Sequence, residues 1–181
     1  GYLTGIHTNQ VHDVGGIPLA AELGVRHVNH LEVLSDADAD LIRSIPSMYA
    51  VFLPSAEGFV FSSRVGQIRK LLDIPNRLVL SSDFNPGSSP VLSPLFVLTY
   101  ALLRYRLSDP ALLVRMYTEN PADMLHLSDR GRLAPGKLAD IVCLDLESHT
   151  QIPYWGTLDI VRHVIKKGRV RTFTETPSCT P

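Results

Sequence analysis

Apolar residues along this chain gather into short runs, separated by turn residues and by longer stretches of helical periodicity. Leu3 to His7 reads as a buried strand ending at Thr8-Asn9-Gln10. Gly15-Gly16 opens a helical stretch, Ile17 to Leu23, and Gly24 closes it where helices favour glycine. Val25 to Leu31 is a second strand. Ser35-Asp36-Ala37-Asp38 then supplies the N-cap and first-turn acids of a helix to about Ile45. Met48 to Leu53 is a third strand, ended by Pro54-Ser55. Ser62 or Ser63 starts a helix through Leu72, with Val65, Ile68, Leu71 and Leu72 at helical spacing. Leu78 to Leu80 is too short and too uniformly apolar for a half-exposed strand. It fits a strand covered on both faces, as in a parallel sheet.

Four strand-then-helix units at roughly thirty-residue spacing are the pattern of βαβ crossovers. Such units build a parallel sheet with right-handed connections, either a small open sheet or half of an eight-stranded barrel. Two long helices follow, Val91 to Leu107 and Pro110 to Leu127; the first is apolar nearly all round and is expected to be buried on several sides. The pattern changes at Gly131-Arg132-Leu133-Ala134-Pro135-Gly136-Lys137. Ile141 to Leu144 and Ile160 to Ile165 read as strands, the second reaching a hairpin at Lys167-Gly168. The expected division is an α/β layer over residues 1–130, a small β portion over 131–173 and a frayed tail over 174–181.

Composition narrows the class. The chain has 181 residues, 45% hydrophobic and 19% charged, enough for an ordinary globular domain with a core. A formal net charge of -1 gives no basic surface for nucleic acid or an anionic membrane. No apolar run approaches a membrane span, and the N-terminus lacks a basic-then-apolar leader pattern. Cys143 and Cys179 have no metal spacing, so a reducing, cytoplasmic setting is the default. The chain opens Gly1-Tyr2-Leu3, without Met and almost at once in a strand, and is expected to be a fragment.

The chemistry gathers at strand ends. His7 closes the first strand, His30 the second, and Asp83 follows the fourth. A barrel points all such ends at one mouth, so the three can converge. Either histidine alone is more often a core residue paired to backbone. Jointly with Asp83 they suit a divalent metal, because imidazole and carboxylate are ligands that zinc or Fe(II) accepts. Asn85-Pro86-Gly87-Ser88-Ser89 adds backbone N–H groups, an amide and two hydroxyls near a helix start expected at Pro90, a surface for a polar or anionic group. Gln10 can hydrogen-bond an amide but cannot serve as a base. His27, three residues before His30, is expected on the opposite, helix-facing side. Glu32 either orients the His30 ring or caps the following segment. His12, His126, His149 and His163 read as surface or structural residues.

His7-Thr8-Asn9-Gln10, Val28-Asn29-His30-Leu31-Glu32 and Ser82-Asp83-Phe84-Asn85-Pro86-Gly87-Ser88-Ser89 together resemble the imidazolonepropionases, amidohydrolase-superfamily enzymes of histidine degradation. The resemblance continues through Glu119-Asn120-Pro121-Ala122, the Gly131 to Val142 segment, Pro153-Tyr154-Trp155 and Val164 to Arg169. It implies the C-terminal half of a (β/α)8 TIM-like barrel, strands five to eight, plus part of a small β-sandwich. It further implies His7 and Asp83 as ligands of one Zn2+ or Fe2+ ion, with Asp83 also moving protons. His30 would face substrate and the attacking water, Gln10 would stand where some members have a catalytic Glu, and Asn85, Gly87 and Ser88 would hold substrate. The implied reaction opens the ring of 4-imidazolone-5-propanoate to N-formimidoyl-L-glutamate, in an enzyme that is usually a homodimer.

Three departures bear on activity. The family's first-strand His-x-His pair occurs nowhere in this chain, and neither do its first four barrel units or its substrate-gripping Arg and Tyr. A catalytic metal normally has at least three protein ligands. The chain is therefore expected to need the N-terminal half and to be inactive alone. Two other readings remain open: a nucleobase deaminase, which Gln10 in place of a proton-relaying Glu disfavours, and a catalytically dead half-barrel that acts as a binding module.

Overall fold

A computed structural model describes residues 2–171. The expected tail over 174–181 lies outside the described residues. The predicted strand order appears as β1 (Gly5–Thr8), β2 (His27–His30), β3 (Tyr49–Phe52) and β4 (Leu78–Leu80), joined in one parallel sheet in the order β1-β2-β3-β4. The register pairs His7 with Asn29, Asn29 with Val51 and Val51 with Val79, so these residues share one face of the arc. All of β3 and β4 is buried, as strands covered on both faces must be.

The two faces of the arc pack differently. Ala50, Phe52, Leu78 and Leu80 point outward into a large core formed with the helices. That layer comprises α1 (Gly16–Glu22), α2 (Asp36–Ser44), α3 (Pro54–Phe59), α4 (Pro94–Tyr105) and α5 (Pro110–Tyr117). Tyr49, Val51, Leu53 and Val79 form a smaller inner cluster with Ala56 and with Met124 from α6 (Glu119–Met124). This inner group closes the floor of the arc. Arg26 ties it there: its guanidinium donates to the carbonyls of Asp123 and Met124 at the α6 C-terminus and lies 4.7 Å over the Tyr49 ring.

Capping chemistry sets several boundaries. Ser35 accepts from the Asp38 N–H at 3.0 Å, Ser93 from Phe96 at 3.2 Å and Asp109 from Leu112 at 3.1 Å. Pro94 and Pro110 follow the latter two caps at positions where a missing N–H costs nothing. The helix expected to start near Pro90 thus begins at Pro94.

Two helical expectations are corrected. No helix runs from Ser62 to Leu72; α3 starts at Pro54, expected only to end a strand, and a 3-10 turn alone forms at Ile68–Leu71. The cause is close packing at Gly66, where a Cβ would come within 2.8 Å of Glu57 and 2.9 Å of Phe52. The stretch Pro110 to Leu127 breaks at Thr118 (φ -127°, ψ -73°) into α5 and α6. In one continuous helix the Pro121 ring would strike the carbonyl of Tyr117; in the first turn of a new helix it fits.

Beyond residue 131, β5 (Ile141–Leu144), β6 (Val161–Lys166) and β7 (Arg169–Arg171) form an antiparallel sheet in chain order. Lys167 and Gly168, both at positive φ, make the expected two-residue hairpin. Between β5 and β6, α7 (Ile152–Trp155) returns to pack on α4. Among the described residues no helix is long and apolar enough to cross a membrane.

Asn120 secures the entry to β4. Buried at 3% exposure, it donates to the carbonyls of Pro75 (2.8 Å) and Leu78 (2.6 Å). Asn120→Ala strands both acceptors and should destabilise the fold by about 2–3 kcal/mol, read as a lower urea midpoint at unchanged m-value.

Candidate active site

The C-terminal ends of the parallel strands carry strained backbone. Asn9 (φ 57°), His30 (φ 82°), Leu31 (φ 68°) and Asp83 (φ 51°) all occupy the left-handed region. Each such conformation costs roughly 1 kcal/mol or more for a residue other than glycine, and such strain clusters at functional sites. Asn9 repays it locally. Its side chain accepts from Thr8 (2.8 Å) and the Val14 N–H (3.3 Å) and donates to Asp13 (3.2 Å), fixing the loop after β1.

His7 and Asp83 line one open cavity of about 360 Å³ on the inner face of the arc, with His27, Asn29, Val51, Val79, Ser81 and Tyr117. Burial in this wall and the neighbouring His30 push the His7 imidazole below its ordinary pKa, while the Asp83 carboxylate pulls it back up. His30 does not line the cavity; its Nε2 lies 3.0 Å from His7 Nδ1, behind that ring. The left-handed turn at His30 and Leu31 swings the imidazole against His7, and Leu31 into the outer core.

His27 was expected on the helix-facing side and is instead an inner-face residue. Its Nδ1 is 2.8 Å from Asn29 Oδ1, and its ring occupies the space a Cβ at Gly5 would need, only 1.9 Å away. The signal was the Gly5↔His27 pairing, which needs the parallel register and not the spacing to His30. Asn29 and Tyr117 were likewise missed.

The loop after Asp83 turns its donors inward. Asn85 Oδ1 accepts from the N–H groups of Gly87 (2.8 Å) and Ser88 (2.7 Å), and Asn85 Nδ2 donates to the Asp83 carbonyl (2.7 Å) and Ser88 Oγ (2.9 Å). With α4 starting only at Pro94, the anticipated anion cradle at a helix N-terminus is absent among the described residues. Asn85, Gly87, Ser88 and Gln10 do not line the cavity either.

The sequence profile of the Amidohydrolase family matches residues 6–171. The chain belongs to the amidohydrolase family. It is 36% identical over 179 residues to an imidazolonepropionase of Salinispora tropica, covering 98% of this chain and 43% of that protein. A Kosmotoga olearia imidazolonepropionase is 37% identical over 171 residues, covering 94% of this chain and 41% of that protein. The chain thus spans less than half the length of these relatives. Among solved structures, a triazine hydrolase variant aligns with a TM-score of 0.78 at 20% identity, over 98% of this chain and 45% of that one. A zinc-bound adenosine deaminase from Xanthomonas campestris aligns at 0.73 and 19%, over 92% and 44%. At these identities the likeness shows the fold, and the four-stranded arc is a partial TIM-type barrel.

In this amidohydrolase the donor types of His7 and Asp83 suit a borderline-to-hard divalent cation. Among the described residues no group of three or more His, Cys, Asp and Glu side chains converges to hold an ion. These two donors make up only part of an ion's protein ligand set.

Behind His30 lie two buried carboxylates. Glu57, fully buried, accepts from Tyr105 Oη (2.5 Å), Arg104 Nε (3.0 Å) and the Gly66 N–H (3.1 Å). Burial, assisted by nearby Glu32, still raises its pKa above the ordinary glutamate value, against those three bonds. A raised folded-state pKa means the folded chain holds the proton more tightly than the unfolded one. The associated stability is present below the unfolded pKa and is lost as pH rises through the folded one. The unfolding free energy of wild type minus that of Glu57→Gln should therefore fall as pH increases from about 4 toward neutrality. Denaturant titrations of both proteins at a series of pH values read that slope; a rising difference would contradict it.

Proposed function

We propose that the protein carrying this chain is a divalent-metal-dependent hydrolase that opens the ring of 4-imidazolone-5-propanoate to N-formimidoyl-L-glutamate. The observation that carries the reading is the placement of His7 and Asp83, from opposite edges of the arc, on one cavity wall. Identity of 36–37% to imidazolonepropionases over nearly the whole chain supports the substrate.

His7 and Asp83 would hold the ion, as Zn2+ or Fe2+, and the bound ion would polarise the ring carbonyl and acidify water. Asp83 would take the proton from the attacking water and return it to the ring nitrogen as the C–N bond breaks, which balances the hydrolysis. Gln10, with no acidic proton to give, would hydrogen-bond the ring amide. The Asn85–Ser88 loop would contact the propionate through Ser88 and Gly87 once its internal bonds to Asn85 are exchanged. The remaining metal donors would come from a segment completing the barrel, which the relatives' greater length accommodates. The protein would work in the cytoplasm, as a homodimer.

A structure aligned to an adenosine deaminase raises ring deamination as the competing chemistry. Gln10, unable to relay a proton, disfavours it. Asp83→Asn should lower kcat/KM for imidazolonepropanoate by about 10²–10⁴-fold and His7→Ala should remove bound metal, both measured on the complete protein. Turnover of an aminopurine, with none of imidazolonepropanoate, would replace this assignment by the deaminase.

A further inference from the structure

Glu32 is the buried group that the reaction leaves without a task. Its side chain is fully enclosed, and neither carboxylate oxygen has a hydrogen-bond partner among the described residues. Neighbouring Glu57 does not share this condition, since Tyr105, Arg104 and Gly66 already supply it with donors. Such an orphaned pair of acceptors in a core calls for a specific reason. His30 Nδ1 lies 3.6 Å from Glu32 Oε1 and is itself without a hydrogen-bond partner among the described residues.

We infer that Glu32 is a positioning residue that fixes the proton of His30 on Nδ1 and, through His30, the proton of His7 on Nδ1. His30 has one ring nitrogen toward a carboxylate and the other 3.0 Å from His7 Nδ1. A neutral imidazole carries one proton, so two arrangements exist. In the first, His30 Nδ1–H faces Glu32, and its bare Nε2 accepts from His7 Nδ1–H. In the second, His30 Nε2–H donates to His7, and a bare Nδ1 lone pair confronts the carboxylate. Two acceptors face each other in the second arrangement, in a buried setting where that contact is costly. The first therefore prevails.

Its consequence lies at the other end of the chain of rings. With Nδ1 of His7 protonated, the lone pair of Nε2 is left free for a metal. The reverse arrangement would put a proton on His7 Nε2 and block it. Carboxylates behind ligating histidines act in this way, directly through one ring, and losing them typically weakens metal binding 10–100-fold. Here the carboxylate would act through two rings, and the strained φ values of His30 and Leu31 are what align them. This last step rests on the metal-hydrolase reading; the tautomers do not.

Long-range 1H–15N spectra of the metal-free protein, labelled in the histidine rings, report each tautomer from its nitrogen shifts. Nδ1–H at both His7 and His30 is expected, with Glu32→Leu, which has no acceptor to offer, returning His30 to the Nε2–H form. Zinc affinity, measured with a chelating indicator, should fall about 10–100-fold in Glu32→Leu. A wild-type His30 protonated on Nε2 overturns the inference and needs no variant, so a misfolded Glu32→Leu leaves it decided. Correct tautomers with zinc affinity unchanged would overturn the link to metal binding. If zinc affinity is also indifferent to Asp83→Asn, the metal-hydrolase reading is what fails.

Discussion

The site depends on rigid strands that end in strained turns. β3 and β4 are buried throughout, and β2 is nearly so, because helices cover one face and the Tyr49–Met124 cluster covers the other. That double cover holds the strand ends still. Only against such a support can Asn9, His30, Leu31 and Asp83 remain in left-handed conformations that ordinary side chains avoid. The arrangement costs several kcal/mol by the usual scale for such residues, and it aims side chains where alternation alone would not.

Much of this was legible in the residues. Two uniformly apolar runs marked β3 and β4 at nearly their observed positions, and Ser35 and Gly24 marked real helix ends. These features depend on local chemistry: burial on both faces, a hydroxyl at an N-cap, a glycine past a C-terminus. The Lys167-Gly168 hairpin was legible for the same reason. What failed was whatever depended on neighbours distant in sequence. The segment from Ser62 to Leu72 carries a helical spacing, yet Gly66 is pressed against Phe52 and Glu57, and contact with those residues decides its shape. Tertiary packing overrode a weak local preference.

The site itself was partly visible. Placing His7 and Asp83 on one cavity followed from strand order, and the structure places both there. His27 was misassigned because counting from His30 assumes that both residues obey the strand alternation. His30 does not, since its φ of 82° takes it out of the extended region. Counting from Val28, which lies in the outer core, would have put His27 and Asn29 inside. The Asn85 loop shows the opposite limit. Its composition advertised free donors, and only coordinates could show the Asn85 amide consuming them.

The positions of the two metal-suited donors also bear on why the sheet must curve. His7 belongs to β1 and Asp83 follows β4, the two edges of the arc. Three inter-strand spacings in a flat sheet would separate those edges by roughly 14 Å, too far for two side chains on parallel paths to address one ion. Closing a parallel sheet toward a barrel, with its right-handed twist, shortens such a gap across the concave side, and His7 and Asp83 do line one cavity. The middle strands then have a different task from the edges. β2 contributes His27 and Asn29 to the cavity wall and His30 to the back of His7, while β3 supplies Val51 to the wall. Donors at the rims and supports between them follow from closing a parallel sheet around a centre, so the geometry of the arc and the chemistry of its mouth are one constraint.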